Sequence, residues 1–151
     1  MKKLFNTNFN NNSVHFMLLL LRVAFAVFMI THGYGKLVMI TSGGPIQFGD
    51  PIGIGTAVSL YLTVFAEFFC SILLLLGLAT RFALIPLIIT MIVAVFIVHA
   101  ADDFGTKEMA LHYLLVLVFL MFTGPGKYSF DSLIGRSSGH SSGRRRRSSR
   151  R

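Results

Sequence analysis

Four long, continuously apolar stretches constrain the fold of this chain more than any other feature. They cover about 14–36, 55–78, 82–99 and 107–123. Each approaches the roughly 20 residues that a helix needs to cross about 30 Å of hydrocarbon. None alternates polar and apolar residues as a barrel strand does, and an α-helix satisfies its own backbone hydrogen bonds in lipid. The sequence therefore predicts an all-α, integral membrane four-helix bundle.

The composition supports this prediction and limits the chemistry. Of the 151 residues, 54% are hydrophobic and 13% are charged, whereas soluble domains carry about 25% charged residues. We expect one membrane domain over 1–135. The single cysteine, Cys70, cannot form an intramolecular disulfide or a cysteine metal site. With one cysteine, any redox chemistry would require a bound cofactor or a partner. The sequence also contains no metalloprotease, P-loop or dinucleotide motif.

The positive charge is concentrated at the end of the chain. The net charge is +8, and half of the 14 basic residues lie within 136–151. We expect this segment to be a disordered, Arg/Ser-rich cytoplasmic tail that rests on anionic lipid, and we expect no nucleic acid partner. Placing both termini in the cytoplasm puts eleven basic residues inside and two outside, so the positive-inside rule predicts an N-in, C-in orientation.

Two ionisable residues interrupt the apolar stretches. Arg22 lies near the middle of the first stretch and Glu67 near the middle of the second. A charge at the bilayer centre costs at least about 2.5 to 3.5 kcal/mol, so their similar depth predicts an Arg22–Glu67 ion pair. Such a pair could serve a function, or it could simply determine which helices face each other.

A second group of polar residues lies where the helices are expected to reach the outer surface. Two pairs in it are spaced i,i+4, His99 with Asp103 and Glu108 with His112, which places each pair on one helix face. If the helix ends meet, the group could bind a transition metal, exchange protons with a quinone or hold a small anion. It could equally be a set of hydrated interfacial residues. The group comprises His32, Lys36, His99, Asp102, Asp103, Glu108 and His112.

An ordered series of short motifs resembles the DoxX family of bacterial membrane proteins. Arg22 is followed by HGYGK at 32–36, AE at 66–67, LGLATR at 76–81, His99 with an acidic loop, and GPGKYSFD at 124–131. The resemblance covers roughly 18–133. By position, the family pattern matches Arg22, His32, Gly33, Lys36, Glu67, Arg81 and His99, whereas the arginine-rich tail is not part of it.

The resemblance implies a multi-pass protein of the bacterial inner membrane, related to the small membrane subunits of thiosulfate:quinone oxidoreductases. Together with the polar residues, it predicts a subunit of a quinone-linked oxidoreductase that associates with a partner subunit or with itself. In this interpretation Glu67, His99 and His32 handle protons or bind the ligand. The binding residues are Arg22, Lys36, Asp102, Asp103, Glu108 and His112, and the metal content is undetermined.

Two other classes of function fit the sequence. In the first, the protein is a non-catalytic membrane scaffold, whose intramembrane charges hold helices together and whose outer polar group docks a partner. In the second, it transports a small solute, since intramembrane charges also mark permeation paths. Transport is the less favoured of the two, because many transporters are built from internal repeats and these four helices show none.

Overall fold

The computed structural model describes residues 10–139 of the chain, and within them it contains helices and no strand. Four helices are long and apolar enough to cross a membrane, which confirms the predicted fold class. A fifth, shorter helix follows them. The helices are α1 (Asn11–Thr41), α2 (Thr56–Leu76), α3 (Thr80–Val98), α4 (Phe104–Thr123) and α5 (Phe130–Gly139).

Most of the apolar surface of the four long helices faces outward. Only 11% to 44% of the most apolar segment of each helix is buried inside the protein. The core is correspondingly thin and consists mainly of leucines, including Leu60, Leu74, Leu84, Leu87, Leu117 and Leu120. An exposed apolar surface of this extent suits a protein whose solvent is lipid.

The bundle has two ends that differ in chemistry. At one end α2 turns into α3 and α4 stops, and the buried Arg22 side chain lies there; we call it the Arg22 end. At the opposite end α1 and α3 stop and α4 begins, and we call it the cavity end. The predicted orientation places the Arg22 end in the cytoplasm, and this remains a prediction.

Two of the long helices contain a π-helical turn, which lies near the middle of α2 and at the end of α3. In α2 it covers Phe65–Cys70 and includes Glu67. In α3 it covers Ala94–Val98 and is followed directly by His99. A π-helical turn inserts one extra residue and rotates the following side chains, and such turns are frequent at functional sites. Glu67 therefore lies within one π-helical turn, and His99 directly follows the other.

A carboxylate fastens the start of α5 to the turn between α2 and α3. Asp131 accepts hydrogen bonds from the backbone nitrogens of Ala79 at 2.7 Å and Thr80 at 2.9 Å. Its own nitrogen donates to the Gly77 carbonyl at 2.9 Å. Asp131 thereby caps the N-terminus of α3, where a negative charge is favourable. The first turn of α5 is fixed against the bundle.

The helix bounds differ from the sequence-based expectation in three places. Helix α1 continues to Thr41, beyond the expected end near 36. Helix α4 begins at Phe104, with Asp103 as its N-cap. Helix α5 was not predicted, and it makes 136–139 helical, where a disordered tail was expected. The remainder of the expected tail, 140–151, lies outside the described residues.

Candidate functional site

A cavity of about 470 Å³ lies between the four long helices at the cavity end. Every long helix contributes to its lining, and all three residues expected to handle protons are among them. The ionisable residues that line it are His32 and Lys36 of α1, Glu67 of α2, and His99 at the end of α3. Its volume lies within the roughly 300–1,000 Å³ typical of small-molecule sites.

Lys36 and Glu67 form an ion pair across α1 and α2. The Lys36 ammonium donates a hydrogen bond to the Glu67 carboxylate. The side chain of Glu67 is 5% exposed and that of Lys36 is 26% exposed, so the pair lies at the boundary between the protein interior and the cavity. A buried carboxylate is tolerated because a cation and a hydrogen bond compensate its loss of hydration.

The close approach of α1 and α2 at this pair depends on Gly33. A Cβ atom at Gly33 would lie 2.7 Å from the carbonyl carbon of Glu67 and 2.7 Å from the nitrogen of Phe68. No side chain fits that space, so only glycine allows the two backbones to pack at this depth. Gly33 lies one helical turn before Lys36, and its contact brings Lys36 within reach of the carboxylate.

His32 borders the cavity opposite Glu67 and packs on an aromatic residue of α4. Its imidazole contacts the Tyr113 ring edge-on, with centroids 5.8 Å apart and planes at 89°. Tyr113 also packs edge-on against Phe25, with centroids 5.4 Å apart. These edge-to-face contacts position the imidazole, and no residue of 10–139 hydrogen-bonds to it. Both ring nitrogens of His32 therefore remain available to a ligand.

His99 is oriented by a carboxylate from the following turn. Its Nδ1 lies 2.7 Å from the carboxylate of Asp102. This bond fixes the orientation of the imidazole ring and leaves its Nε2 free of Asp102. The geometry corrects the expected i,i+4 pairing of His99 with Asp103, since the helix ends at Val98 and the chain turns there.

The remaining cavity wall is mostly apolar. Three methionines line it, Met29 of α1, Met91 of α3 and Met109 of α4, together with Ala94 and Ala110. Methionine side chains are flexible and polarisable, and they adapt to ligands of different shape. The arrangement combines an adaptable apolar wall with polar groups at a few positions, as small-molecule sites commonly do.

The other predicted polar residues do not enter the cavity. Asp103 caps α4, accepting from Thr106 Oγ1 at 2.8 Å and from Gly105 N at 3.1 Å, and these bonds lower the pKa of its carboxyl. Glu108 and His112 are exposed, and no hydrogen bond joins them. The cavity therefore brings together His32, Lys36 and His99, whereas Asp103, Glu108 and His112 lie outside it.

Asp102 does not line the cavity, and its connection to the site is the contact of its carboxylate with His99 Nδ1. Within residues 10–139, no group of three or more His, Cys, Asp or Glu side chains could hold a metal ion.

The predicted Arg22–Glu67 ion pair is also wrong. Arg22 donates from Nη1 to the Pro125 carbonyl at 2.8 Å and from Nη2 to the Tyr128 carbonyl at 2.7 Å. Its guanidinium lies at the Arg22 end, beside Gly77, where a Cβ would be 2.5 Å from Nη1. Arg22 and Glu67 occupy different depths because α1 begins at Asn11 and extends past the end of α2.

Several residues of the site escaped the sequence analysis. Tyr113 and the three methionines are ordinary constituents of an apolar helix, and nothing in their spacing marks them as cavity residues. Outside the cavity, Asp50 also escaped the sequence analysis, although an Asp a few residues before a helix start is a recognisable N-terminal signal. It accepts from Gly55 N, Ile54 N and Ser59 Oγ at 2.8 to 3.0 Å, and these bonds lower the pKa of its carboxyl.

Comparison with known proteins gives a family and two relatives. The family model described as DoxX matches residues 17–100. An uncharacterized protein of Haemophilus influenzae is 32% identical over 127 residues, which cover 78% of this chain and 90% of that protein. An uncharacterized membrane protein of Mycobacterium tuberculosis is 32% identical over 131 residues, covering 74% and 77%. No solved structure matches the chain.

Proposed function

The chain belongs to the DoxX family of membrane proteins, and from this premise we propose that it is the quinone-binding membrane subunit of an oxidoreductase complex. In this proposal the protein lies in the bacterial inner membrane with both termini in the cytoplasm. A partner subunit supplies two electrons to the quinone, and this chain binds the quinone ring and passes it two protons. The observation that carries the proposal is the cavity shared by His32, Lys36, Glu67 and His99.

The lining of the cavity suits a quinone headgroup. A quinone ring is flat and apolar, and it carries two carbonyl oxygens that accept hydrogen bonds. The methionines and Tyr113 offer apolar contact to such a ring. Imidazole and ammonium donors stand at the polar margin, where they can meet the oxygens.

The titratable groups suit the proton transfer. Reduction of a quinone to a quinol consumes two electrons and two protons, and each proton must come from a nearby donor. Histidine exchanges protons readily near neutral pH, and His99 is oriented by Asp102. The Lys36 ammonium, paired with Glu67, lies beside the cavity, where a cation favours the negative charge that develops on a quinone oxygen during reduction.

The side of the cavity between α1 and α4 supports entry from lipid. Met109 of α4 lines the cavity and is nevertheless 61% exposed. His32 of α1 lines the same side and is exposed as well. The cavity is therefore accessible between α1 and α4, and we propose that this side faces lipid. A ligand with an isoprenoid tail could leave the tail in the bilayer while its ring occupies the cavity.

The test measures quinone retained by the protein after purification from its native membrane in mild detergent. The variants are His99→Ala and Glu67→Gln, and their matched controls are His112→Ala and Glu108→Gln. The controls remove the same chemical groups at the same end of the bundle but outside the cavity. We expect near-stoichiometric quinone in the wild type and both controls, and a loss of at least about fivefold in the cavity variants, about 1 kcal/mol of binding.

Two outcomes would contradict the proposal. Absence of quinone from the wild-type protein would contradict quinone binding. Equal retention in all variants would show that the quinone binds outside the cavity. Co-purification of a partner protein without quinone would favour the scaffold function instead. Thermal stability of each variant, measured in the same detergent, separates a lost ligand from a lost fold.

A further inference from the structure

A second concave surface lies at the Arg22 end, on the far side of the protein from the cavity. It encloses about 570 Å³ between the end of α2 and the start of α5, and we call it the α5 groove. Its lining residues are Leu76, Lys127, Tyr128, Ser129, Phe130 and Leu133. Nothing in the proposed quinone chemistry uses it.

The α5 groove exposes apolar side chains close to the ends of the spanning helices α2 and α4. Leu76 is 43% exposed, Phe130 is 50% exposed and Leu133 is 58% exposed. Helix α5 begins soon after α4 ends at Thr123, so these side chains stay close to the edge of the hydrocarbon. Exposed apolar residues at that level contact lipid rather than water.

The groove is also rigid. The Asp131 carboxylate binds the nitrogens of Ala79 and Thr80, and Asp131 N binds the Gly77 carbonyl. Ser129 Oγ donates to the Gly126 carbonyl at 2.7 Å, which closes the turn before α5. A preformed groove loses little conformational freedom when a ligand binds.

The charges around the groove are positive and incompletely paired. Lys127 donates to the neutral Asn12 Oδ1 at 2.6 Å and lies 4.9 Å from the centroid of the Tyr128 ring. No carboxylate pairs with it within residues 10–139. The exposed Arg81 belongs to the same end. The one acidic residue there, Asp131, is committed to backbone nitrogens, so the surface complements an anion.

We propose that the α5 groove binds an anionic phospholipid from the surrounding leaflet. One acyl chain lies along Leu76, Phe130 and Leu133, and the headgroup phosphate meets the ammonium of Lys127. The phosphate replaces a neutral amide partner with a charged one, which strengthens the hydrogen bond. The proposal is independent of the quinone site, since the two surfaces lie at opposite ends of the bundle.

Native mass spectrometry of the full chain in neutral detergent tests the proposal. Phosphatidylglycerol is the anionic probe, and phosphatidylcholine with the same acyl chains is the zwitterionic control. The variants are Lys127→Gln and Leu133→Asn, with Lys107→Gln at the cavity end as the control for lost charge. A further variant changes all four residues of 144–147 from arginine to glutamine, which separates the groove from the basic segment of the sequence.

We expect phosphatidylglycerol to bind the wild type at least about fivefold more tightly than phosphatidylcholine, since one basic residue near an anionic surface contributes about 1 kcal/mol. Lys127→Gln and Leu133→Asn should each remove most of that preference, and Lys107→Gln should keep it. Equal binding of the two lipids would overturn the proposal. So would a preference that survives both groove variants, or one lost only when the four arginines are changed.

Discussion

Lys36 of α1 pairs with Glu67 of α2 inside the bundle, and the contact forms where Gly33 lets the two helix backbones touch. The pair lines the cavity together with the imidazoles of His32 and His99. It therefore joins two roles in one contact: it holds α1 against α2, and it keeps a charged group beside the candidate ligand site.

Removing one partner of the Lys36–Glu67 pair should destabilise the protein. Lys36→Met leaves the Glu67 carboxylate, 5% exposed, without its cation. The expected cost is about 1 to 3 kcal/mol in the free energy of unfolding, measured by titration with SDS in mixed micelles. The double variant Lys36→Met with Glu67→Leu should recover most of the loss, because an apolar pair needs no hydration.

The same double variant should retain no quinone, even though it folds. A double variant as unstable as the single one would mean that the pair does not couple the two positions. A stable double variant that still binds quinone would show that the pair has only a structural role.

Gly33 should tolerate no side chain. In Gly33→Ala the new methyl group would meet the backbone of Glu67 and Phe68 at 2.7 Å, so α1 must shift away, at a cost of about 1 to 3 kcal/mol. The matched control is Gly35→Ala, two residues along the same helix, where nothing lies within 4 Å. The control should be neutral or stabilise the helix by up to about 1 kcal/mol.

Thermal unfolding of both glycine variants in the same detergent gives the comparison. Equal unfolding temperatures for Gly33→Ala and Gly35→Ala would contradict the close approach of α1 and α2.

Arg22 should be a structural residue. Its two charged hydrogen bonds to the carbonyls of Pro125 and Tyr128 hold the chain after α4 against α1. Arg22→Gln should cost about 2 to 4 kcal/mol, since each such bond contributes about 1.5 to 3 kcal/mol and Gln keeps one at most. Arg81→Gln at the same end, whose guanidinium is exposed, should change stability by no more than about 0.5 kcal/mol.

SDS titration in lipid-free neutral detergent measures both arginine variants. Quinone retained by the folded fraction of Arg22→Gln should equal that of the wild type. A specific loss of quinone without loss of stability would give Arg22 the binding role that the sequence suggested.

Asp131 should make the free energy of unfolding depend on pH under acidic conditions. Burial acts to raise the pKa of its carboxyl, but hydrogen bonds from Thr80 and Ala79 and the charge of Arg22 outweigh it, so the pKa lies below the ordinary 3.8. A lowered pKa means that the stabilisation is complete well above pH 3.8 and is lost as the pH falls through the folded-state value. Asp131→Asn should therefore be less stable than the wild type at pH 7, by about 1 to 2 kcal/mol.

The difference between wild type and Asp131→Asn should shrink as the pH falls below 3.8. Unfolding temperatures measured from pH 7 to pH 3 give the comparison. A difference that stays constant over this range would show that the charge of Asp131 does not cap α3.

The four spanning helices followed from the sequence because length and apolarity alone decide whether a segment crosses lipid. The depth of a charged residue did not follow. Counting from the ends of the apolar stretches placed Arg22 level with Glu67, but the packing of α1 along α2 is fixed by the Gly33 contact, which a single sequence does not mark. The partner of Glu67 is therefore Lys36, near the end of the first stretch.

The candidate site was predicted in part. His32, Lys36, Glu67 and His99 line one cavity, and all four were candidate site residues in the sequence analysis. The acidic residues after His99 were misplaced because helical spacing was extended past Val98, where α3 ends. The α5 helix was missed because its short apolar face, with Phe130 and Leu133, is followed by a polar, glycine-containing segment that resembles a tail.

Photolabelling with an azidoquinone tests the central claim most directly, because it reports where the quinone ring lies in the intact protein. The labelled protein is digested, and the modified residues are identified by mass spectrometry, with and without an excess of unlabelled quinone. The account predicts competed labelling in 29–36 and 105–113, the parts of α1 and α4 that line the cavity, and labelling reduced by about fivefold or more in Glu67→Gln. Labelling confined to the outward faces of the helices, or unaffected by competition, would contradict it.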